Sequence, residues 1–465
     1  MGWLERTTGP KSSELDEILG YHLEQAFQYR AELGPVSDKA AELAARAGER
    51  LGRAGRRAMA GGGDVAAAES LMSRAVALLP EAHPRRSEFL TELGSARMMT
   101  GDFAGAGDVL EEAVALASAA GDTRTESRAL IEREFYKTFA GSEDATLTIP
   151  EVTSRAIPVL EDAGDHLGLA RAWRLRSELD IRAAHWGARA EALDRALDHA
   201  RQAAELREVG FLVALLAQSL YFGPTPVEKA IGRCEQFLSD VTDDNSLEAA
   251  IGSTLAGLHA MRGDFDQARE LWAAADKLYE TLHLSFRRAA RSYIPASIET
   301  LAGDHDAAER ELRWGYETLE QMGEKSLRTT IAAFLAEAVY KQGRDDEAER
   351  LTNVIDELAA ADDLVPQMLG RSVRAKILAK RGELEDAEEL GREVVELAEN
   401  TDFPDLKAST ALDLAEVLDA GGQTSEAQEL IVRAKEIYVR KGNVVSAGQT
   451  ELRSAHPTRS GGRDG

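Results

Sequence analysis

Seven copies of one short phrase constrain this chain more than anything else in it. Each copy has a glycine, usually followed by aspartate or another polar residue, and an alanine five residues after the glycine. The copies are Gly63…Ala68, Gly101…Ala106, Gly263…Ala268, Gly303…Ala308, Gly343…Ala348, Gly382…Ala387 and Gly422…Ala427. From Gly263 onward the glycines stand 40, 40, 39 and 40 residues apart. Between Gly101 and Gly263 lie 162 residues, close to four periods, and degenerate copies fall near the expected places. These are Gly141-Ser142-Glu143-Asp144-Ala145, Trp186-Gly187 leading to Ala190, and Gly223-Pro224 leading to Ala230. A fixed period of this length means a stack of supersecondary units, here about ten helix pairs.

The phrase has a physical reading. Glycine ends the first helix of a pair, where the C-terminal turn needs φ > 0. The next aspartate caps the second helix. The alanine falls where two helices approach too closely for a larger side chain. An apolar residue three further on (Leu71, Val109, Leu271, Leu351, Leu390 or Leu430) shares its face. Ala120-Gly121-Asp122, Ala163-Gly164-Asp165 and Met322-Gly323 mark ends of second helices. One pair cannot bury its apolar face alone, so neighbours must stack into a superhelix with a concave groove. Strand signals are missing. Glu14 to Leu33 reads as an amphipathic helix with Leu15, Ile18, Leu19, Leu23 and Phe27 in register, stopped by Pro35. The expected organisation is a linker helix in 1–35, a solenoid over 36–443 and a disordered tail over 444–465.

Composition narrows the function. Lys and Arg number 55 against 81 Asp and Glu, a formal charge of −26, which repels phosphate backbones and anionic lipid. Neither nucleic acid nor a membrane is an expected partner. Cys234 is the one cysteine, so an internal disulfide or cysteine metal cluster is ruled out. No run of about 18 apolar residues occurs, and Met1-Gly2-Trp3-Leu4-Glu5-Arg6 lacks the pattern of a signal peptide. A cytoplasmic location is expected.

The glycine-alanine phrases resemble the tetratricopeptide repeat, and the 40-residue period is similar to long-period variants in bacterial signal-transduction ATPases rather than to the standard 34. The resemblance implies an all-α helical-repeat solenoid, a right-handed superhelix. The stretch Glu17-Ile18-Leu19-Gly20-Tyr21-His22-Leu23-Glu24-Gln25-Ala26, then Tyr29-Arg30-Ala31-Glu32-Leu33-Gly34, resembles a junction in multidomain proteins that join a class III nucleotide cyclase to a STAND-type ATPase. Arg56-Arg57-Ala58-Met59-Ala60 through Leu79-Pro80 continues it. In such proteins the phrase opens the C-terminal repeat region, so the resemblance implies a sensor region and an ATPase or cyclase module as partner. The chain carries no Gly-x4-Gly-Lys-Ser/Thr phosphate loop and no cyclase-like aspartate pair. An enzyme is therefore not expected, and neither is a cofactor.

The residues that invite chemistry mostly have bland readings. His22, His185 and His259 lack metal-ligand spacing. The acidic run Glu383, Glu385, Asp386, Glu388 and Glu389 reads as a solvated helix face, and Cys234 as a structural thiol. Two basic features go further. Arg46, Arg50, Arg53 and Arg57 follow i, i+4, i+7, i+11 and form one stripe, a candidate docking face for an acidic partner. Aligned on the turn glycine, Arg86, Arg288, Arg328, Gln367 and Lys407 stand fifteen residues before it, with Glu248 as the exception. Arg288, Arg328, Gln367 and Lys407 should stack as a ladder in the first turns of their helices, where the macrodipole disfavours cations. An anionic effector or acidic peptide in the groove would account for that placement, as would inheritance by repeat duplication. The function expected is a non-catalytic protein- or effector-binding regulatory superhelix of a signalling system. The alternative is a regulatory fragment of a cyclase/ATPase protein whose catalytic modules lie on a separate or upstream chain.

Overall fold

The computed structural model describes residues 15–60, 64–140, 145–240 and 244–455, and among them every regular element is a helix. Helix α1 (Asp16–Glu32) precedes ten pairs in which a first helix A is followed by a second helix B. The first five pairs are α2 (Asp38–Ala60) with α3 (Val65–Leu78), α4 (Arg86–Thr100) with α5 (Phe103–Ala120), α6 (Thr123–Phe139) with α7 (Ala145–Asp162), α8 (His166–Arg182) with α9 (Trp186–Gln202), and α10 (Leu206–Phe222) with α11 (Val227–Asp240). Then come α12 (Asn245–Arg262) with α13 (Phe265–Thr281), and α14 (Ser285–Ala290) plus α15 (Tyr293–Ala302) with α16 (His305–Gln321). The last three are α17 (Ser326–Lys341) with α18 (Asp345–Leu358), α19 (Leu364–Arg381) with α20 (Leu384–Glu399), and α21 (Pro404–Ala420) with α22 (Thr424–Lys441). Helix α23 (Val444–Ala455) closes the series. No described helix is long and apolar enough to cross a membrane.

The turn phrase behaves as its chemistry demands. Gly263 and Gly303 adopt φ of 96° and 91°, left-handed values that a side chain makes costly. Asp102 and Asp304 accept from the N–H groups of Gly105 and Ala307, both at 2.9 Å. Asp264 differs, because its carboxylate turns to Arg262 Nε at 2.5 Å. The phrase alanines are fully buried: Ala106, Ala268, Ala308 and Ala348 expose 0%. Helix α12 packs against the B helices on either side of it, α11 and α13, and is buried on most sides from Leu247 to Met261, whereas α13 keeps a solvated face.

Three sequence expectations shift. The expected tail from 444 begins with twelve helical residues, because Asn443 caps them by accepting from Ser446 N–H at 3.1 Å and Ala447 packs against α22. The tail residues 456–465 lie outside the described residues, as do Gly63 and Gly141 to Asp144. In the fourth pair the left-handed residue is Ala184 (φ 55°), not Gly187, which lies inside α9. The α14/α15 break follows from Pro295, which supplies no N–H and crowds the carbonyl four residues earlier, at Arg291.

Packing divides the chain into two compact units. Unit 1 comprises Met1–Lys137, Leu147–Leu175 and Ala196–Gly210, and its apolar core includes Leu51, Met72, Phe89 and Leu93. Unit 2 comprises Thr138–Thr146, Arg176–Arg195 and Phe211–Gly465. Within unit 2, turns far apart in sequence dock on one another. The Lys441 ammonium donates to the carbonyls of Leu220, Gly223 and Thr225 at 3.0, 2.7 and 2.9 Å, capping the end of α10. Burial pulls that ammonium down to about 8, against the opposing influence of Asp405.

Candidate functional site

The ladder and the stripe are both tied into the fold. Arg288 donates from Nε to Asp276 at 2.6 Å and from Nη2 to Glu311 at 3.2 Å, with its guanidinium 3.5 Å from the Trp314 ring centroid. Arg328 reaches Glu320 at 3.2 Å, Gln367 the Ala360 carbonyl at 2.7 Å, and Lys407 the Glu399 carbonyl at 3.0 Å. Arg86 does the same at the Leu79 carbonyl, 2.8 Å away. Except for Arg288, which stops at Asp276 further up α13, these side chains start in or near the first turns of an A helix but place their heads at the C-terminal end of the preceding B helix. The macrodipole favours a donor there. The unfavourable placement inferred from sequence therefore holds for the Cα positions and not for the charges.

In the stripe, Arg50, Arg53 and Arg57 converge on one carboxylate, Asp16 of α1, at 2.7, 3.2 and 3.0 Å, and Arg46 is likewise engaged. Burial would raise the Asp16 carboxyl, but hydrogen bonds from Arg53 and Arg57 outweigh it and hold the group below the usual carboxylate range. The stripe thus fastens α1 to α2, helped by Glu24, which pairs with Arg74. That orientation buries Leu19 and Leu23 and turns Ile18 (55% exposed), Tyr21 (48%) and Tyr29 (64%) outward on one face.

A set of charged residues that the sequence reading passed over lies on the A helices, with Glu92, Glu132 and Asp413 nine residues before the turn glycine and Glu337 and Lys376 six before it. In unit 1, Glu92 on α4, Glu132 on α6, Arg171 and Arg174 on α8, and Glu208 on α10 form one buried network. Arg174 pairs with Glu132 at 2.8 Å and Glu208 at 2.7 Å, and Arg171 with Glu92 at 3.2 Å. Ser95 donates to Glu132 at 3.0 Å. Burial raises the Glu132 carboxyl, and the two guanidinium groups more than reverse it. In unit 2, Lys376 on α19 lies between Glu337 on α17 and Asp413 on α21, at 2.6 and 2.8 Å. Opposite charges on α6, α8 and α10 in unit 1, and on α17, α19 and α21 in unit 2, hold neighbouring pairs in register.

Arg189 on α9 departs from that pattern. It is 1% exposed. Its Nη1 donates to Gln218 Oε1 at 3.0 Å and Ser219 Oγ at 3.3 Å, both uncharged. Its closest ion pair, to Glu178 on α8, spans 4.0 Å, and Nε has no hydrogen-bond partner. Gln218 also donates to Tyr293 Oη at 3.4 Å, and the guanidinium lies 5.2 Å from the Trp186 ring. Just before it, the N–H groups of Trp186 and Gly187 donate to Asp402 at 2.6 and 2.8 Å. Elsewhere, Cys234 is buried and its thiol is pushed up to about 12. No three His, Cys, Asp or Glu side chains among the described residues are placed to hold a metal ion.

No protein-family model matches the chain, and no curated protein matches it. Among solved structures, the crystal structure of the APC/C hetero-tetramer Cut9-Hcn1 is similar over 96% of this chain and 91% of its own, at 13% identity and a TM-score of 0.51. TPR-like repeats of a putative kinesin light chain from Podospora anserina match over 42% of this chain and 97% of theirs, at 20% identity and a TM-score of 0.31. A Rap protein complexed with competence and sporulation factor matches over 81% and 98%, at 13% identity and a TM-score of 0.41. At these identities the likeness concerns the fold alone. With its stacked helix pairs, glycine-ended A helices and buried crossing alanines, the fold is an all-α superhelix of the tetratricopeptide type.

Proposed function

We propose that the chain is a non-catalytic, protein-binding regulatory superhelix of a bacterial signalling system, acting in the cytoplasm. The carrying observation is the outward face of α1. Three arginines and a buried aspartate fix this helix in place, yet Ile18, Tyr21 and Tyr29 remain on the solvent side. A repeat unit buries such a face against its neighbour. The apolar face of α1 therefore suits a protein partner that stacks there. The resemblance of the α1 segment to the junction after a STAND-type ATPase makes an ATPase or cyclase module the first partner to test. The second reading, a regulatory fragment of such a protein, predicts an adjacent reading frame that encodes the catalytic modules.

The test is direct binding to the ATPase or cyclase module encoded nearest in the same genome. Tyr21→Asp with Tyr29→Asp should weaken that binding at least about tenfold, the loss expected when apolar area at an interface core is replaced by charge, and leave the helical signal unchanged. Unaltered affinity in the double variant sinks the α1 reading.

A further inference from the structure

Position four of each B helix is the crossing point of the fold. Alanine stands there in eight of the ten, as Ala68, Ala106, Ala230, Ala268, Ala308, Ala348, Ala387 and Ala427, all 0–1% exposed. In α9 that position is Arg189, equally buried. Five other buried cations meet an anion or carbonyls closely. Arg171, Arg174 and Arg182 each touch a carboxylate, Lys376 touches two, and Lys441 binds three carbonyls. Arg189 has only neutral contacts at hydrogen-bond distance, with Glu178 at 4.0 Å and an unpaired Nε. Asp180 also faces it, but burial pushes that carboxyl above its ordinary range, which weakens the compensation. An incompletely compensated buried guanidinium is costly and marks a group placed for something other than stability.

The start of the same helix already holds a carboxylate. Asp402, more than 200 residues away in the α20–α21 turn, takes the Trp186 and Gly187 N–H groups, and its own N–H donates to the Ala184 carbonyl at 3.2 Å. His185 Nε2 lies 2.8 Å from the Asn400 carbonyl, and the Trp186 and Phe403 rings meet edge to face at 6.0 Å. Ala184 carries this dock in the left-handed conformation, φ 55°, where other repeats use glycine. The contacts around Asp402 are polar, and water replaces them when the turn moves, while the buried rings of Trp186, Phe222 and Phe403 pack beside them.

We propose that the first turn of α9, with Arg189, is a recognition site for an acidic segment of a partner protein, and that Asp402 occupies it as a built-in competitor. A partner carboxylate displaces Asp402 from the Trp186 and Gly187 N–H groups. The helix N-terminus favours the anion there, a second carboxylate pairs with Arg189, and the α20–α21 turn is released. This site is separate from the outward face of α1, and its test does not involve that face.

The probe is fluorescein-labelled hexaglutamate, read by anisotropy against the full-length chain near 0.15 M salt, where a Debye length of about 8 Å screens the overall negative charge. Asp402→Ala should bind it at least tenfold more tightly than wild type, with binding that weakens as salt rises. Adding Arg189→Met should remove the gain. Circular dichroism should keep the helical signal in both. No gain in a folded Asp402→Ala protein overturns the proposal, and so does a gain that survives Arg189→Met. If Asp402→Ala loses its helical signal, Asp402→Asn decides, because it keeps an acceptor on the α9 N–H groups without the charge. It must bind more tightly than wild type, and equal affinity counts against the proposal.

Discussion

Lys376→Met tests whether the charged positions on the A helices hold the repeats in register. Its ammonium lies between Glu337 and Asp413, at 2.6 and 2.8 Å, its side chain is 1% exposed, and Lys341 also reaches Glu337 at 3.4 Å. At an effective dielectric of 20, each contact is worth about 6 kcal/mol of gross Coulomb attraction, most of which offsets desolvation. Burial opposes the charge on Lys376, but Asp413 and Glu337 outweigh it and raise the ammonium above the ordinary lysine value, so it does not titrate near neutrality. Methionine keeps the stem, leaves Asp413 without its cation and leaves Glu337 with Lys341 alone, which costs roughly 3–5 kcal/mol at pH 7.5. Native-state hydrogen exchange on α17, α19 and α21 is the fitting assay, because a long repeat array does not melt in one step. The sign of the pH effect follows from linkage. In the variant, burial is no longer offset by Lys376 and pushes the Asp413 carboxyl further above its unfolded value. The folded state then binds more protons, so its stability rises as pH falls through that window. Asp413 already stands high in the wild type, raised to about 6 by burial, so part of this response is common to both proteins. The loss should therefore narrow by about 1 kcal/mol or more between pH 7.5 and 5.5. A loss below about 1 kcal/mol at pH 7.5, or one equal at both pH values, refutes the reasoning.

Three further outcomes are expected. Ala348→Leu, at a position 0% exposed, should cost roughly 1–3 kcal/mol by overpacking, with faster exchange in α17 to α19, and wild-type protection would mean that the crossing point is misplaced. Ala204→Gly relieves a left-handed alanine (φ 53°) at an exposed turn and should stabilise by about 0.5–1 kcal/mol, the left-handed cost less the backbone entropy of glycine; a lower melting temperature would contradict this. Asp16→Ala removes the acceptor shared by Arg50, Arg53 and Arg57 and should make 16–32 the first segment cut in limited proteolysis, whereas an unchanged cleavage pattern would mean that apolar packing alone holds α1.

The repeat was legible because its turn has a steric requirement that few residues meet. Gly101, Gly263, Gly303, Gly343, Gly382 and Gly422 all have positive φ, so the residue type reported the backbone directly. The fourth pair was misread by three residues because Ala184 accepts the left-handed conformation there, and the glycine nearby, Gly187, is helical. The Arg288 to Lys407 ladder was visible as a spacing, but spacing locates Cα atoms. A lysine or arginine carries its charge several ångströms further, far enough to reach the previous helix end, so the electrostatic inference drawn from the Cα position missed the neighbour that receives it.

The charged positions on the A helices were harder to see for a different reason. Aligned six residues before the turn glycine, they read Ser95, Gly257, Ser297, Glu337, Lys376 and Glu416, with no common type, because neighbours in a stack complement one another and need not match. Similarity between repeats marks what the backbone and the crossing require of every unit, as glycine and alanine do. Complementarity between repeats marks what one unit requires of the next, as Glu337, Lys376 and Asp413 do. A residue that fits neither pattern is the most informative of all. Arg189 replaces the crossing alanine, so it is not required by the backbone, and no neighbouring carboxylate comes closer than the 4.0 Å to Glu178, so the next unit does not fully complement it. What is left for it to complement is a carboxylate from outside the chain, arriving at the helix start that Asp402 now occupies.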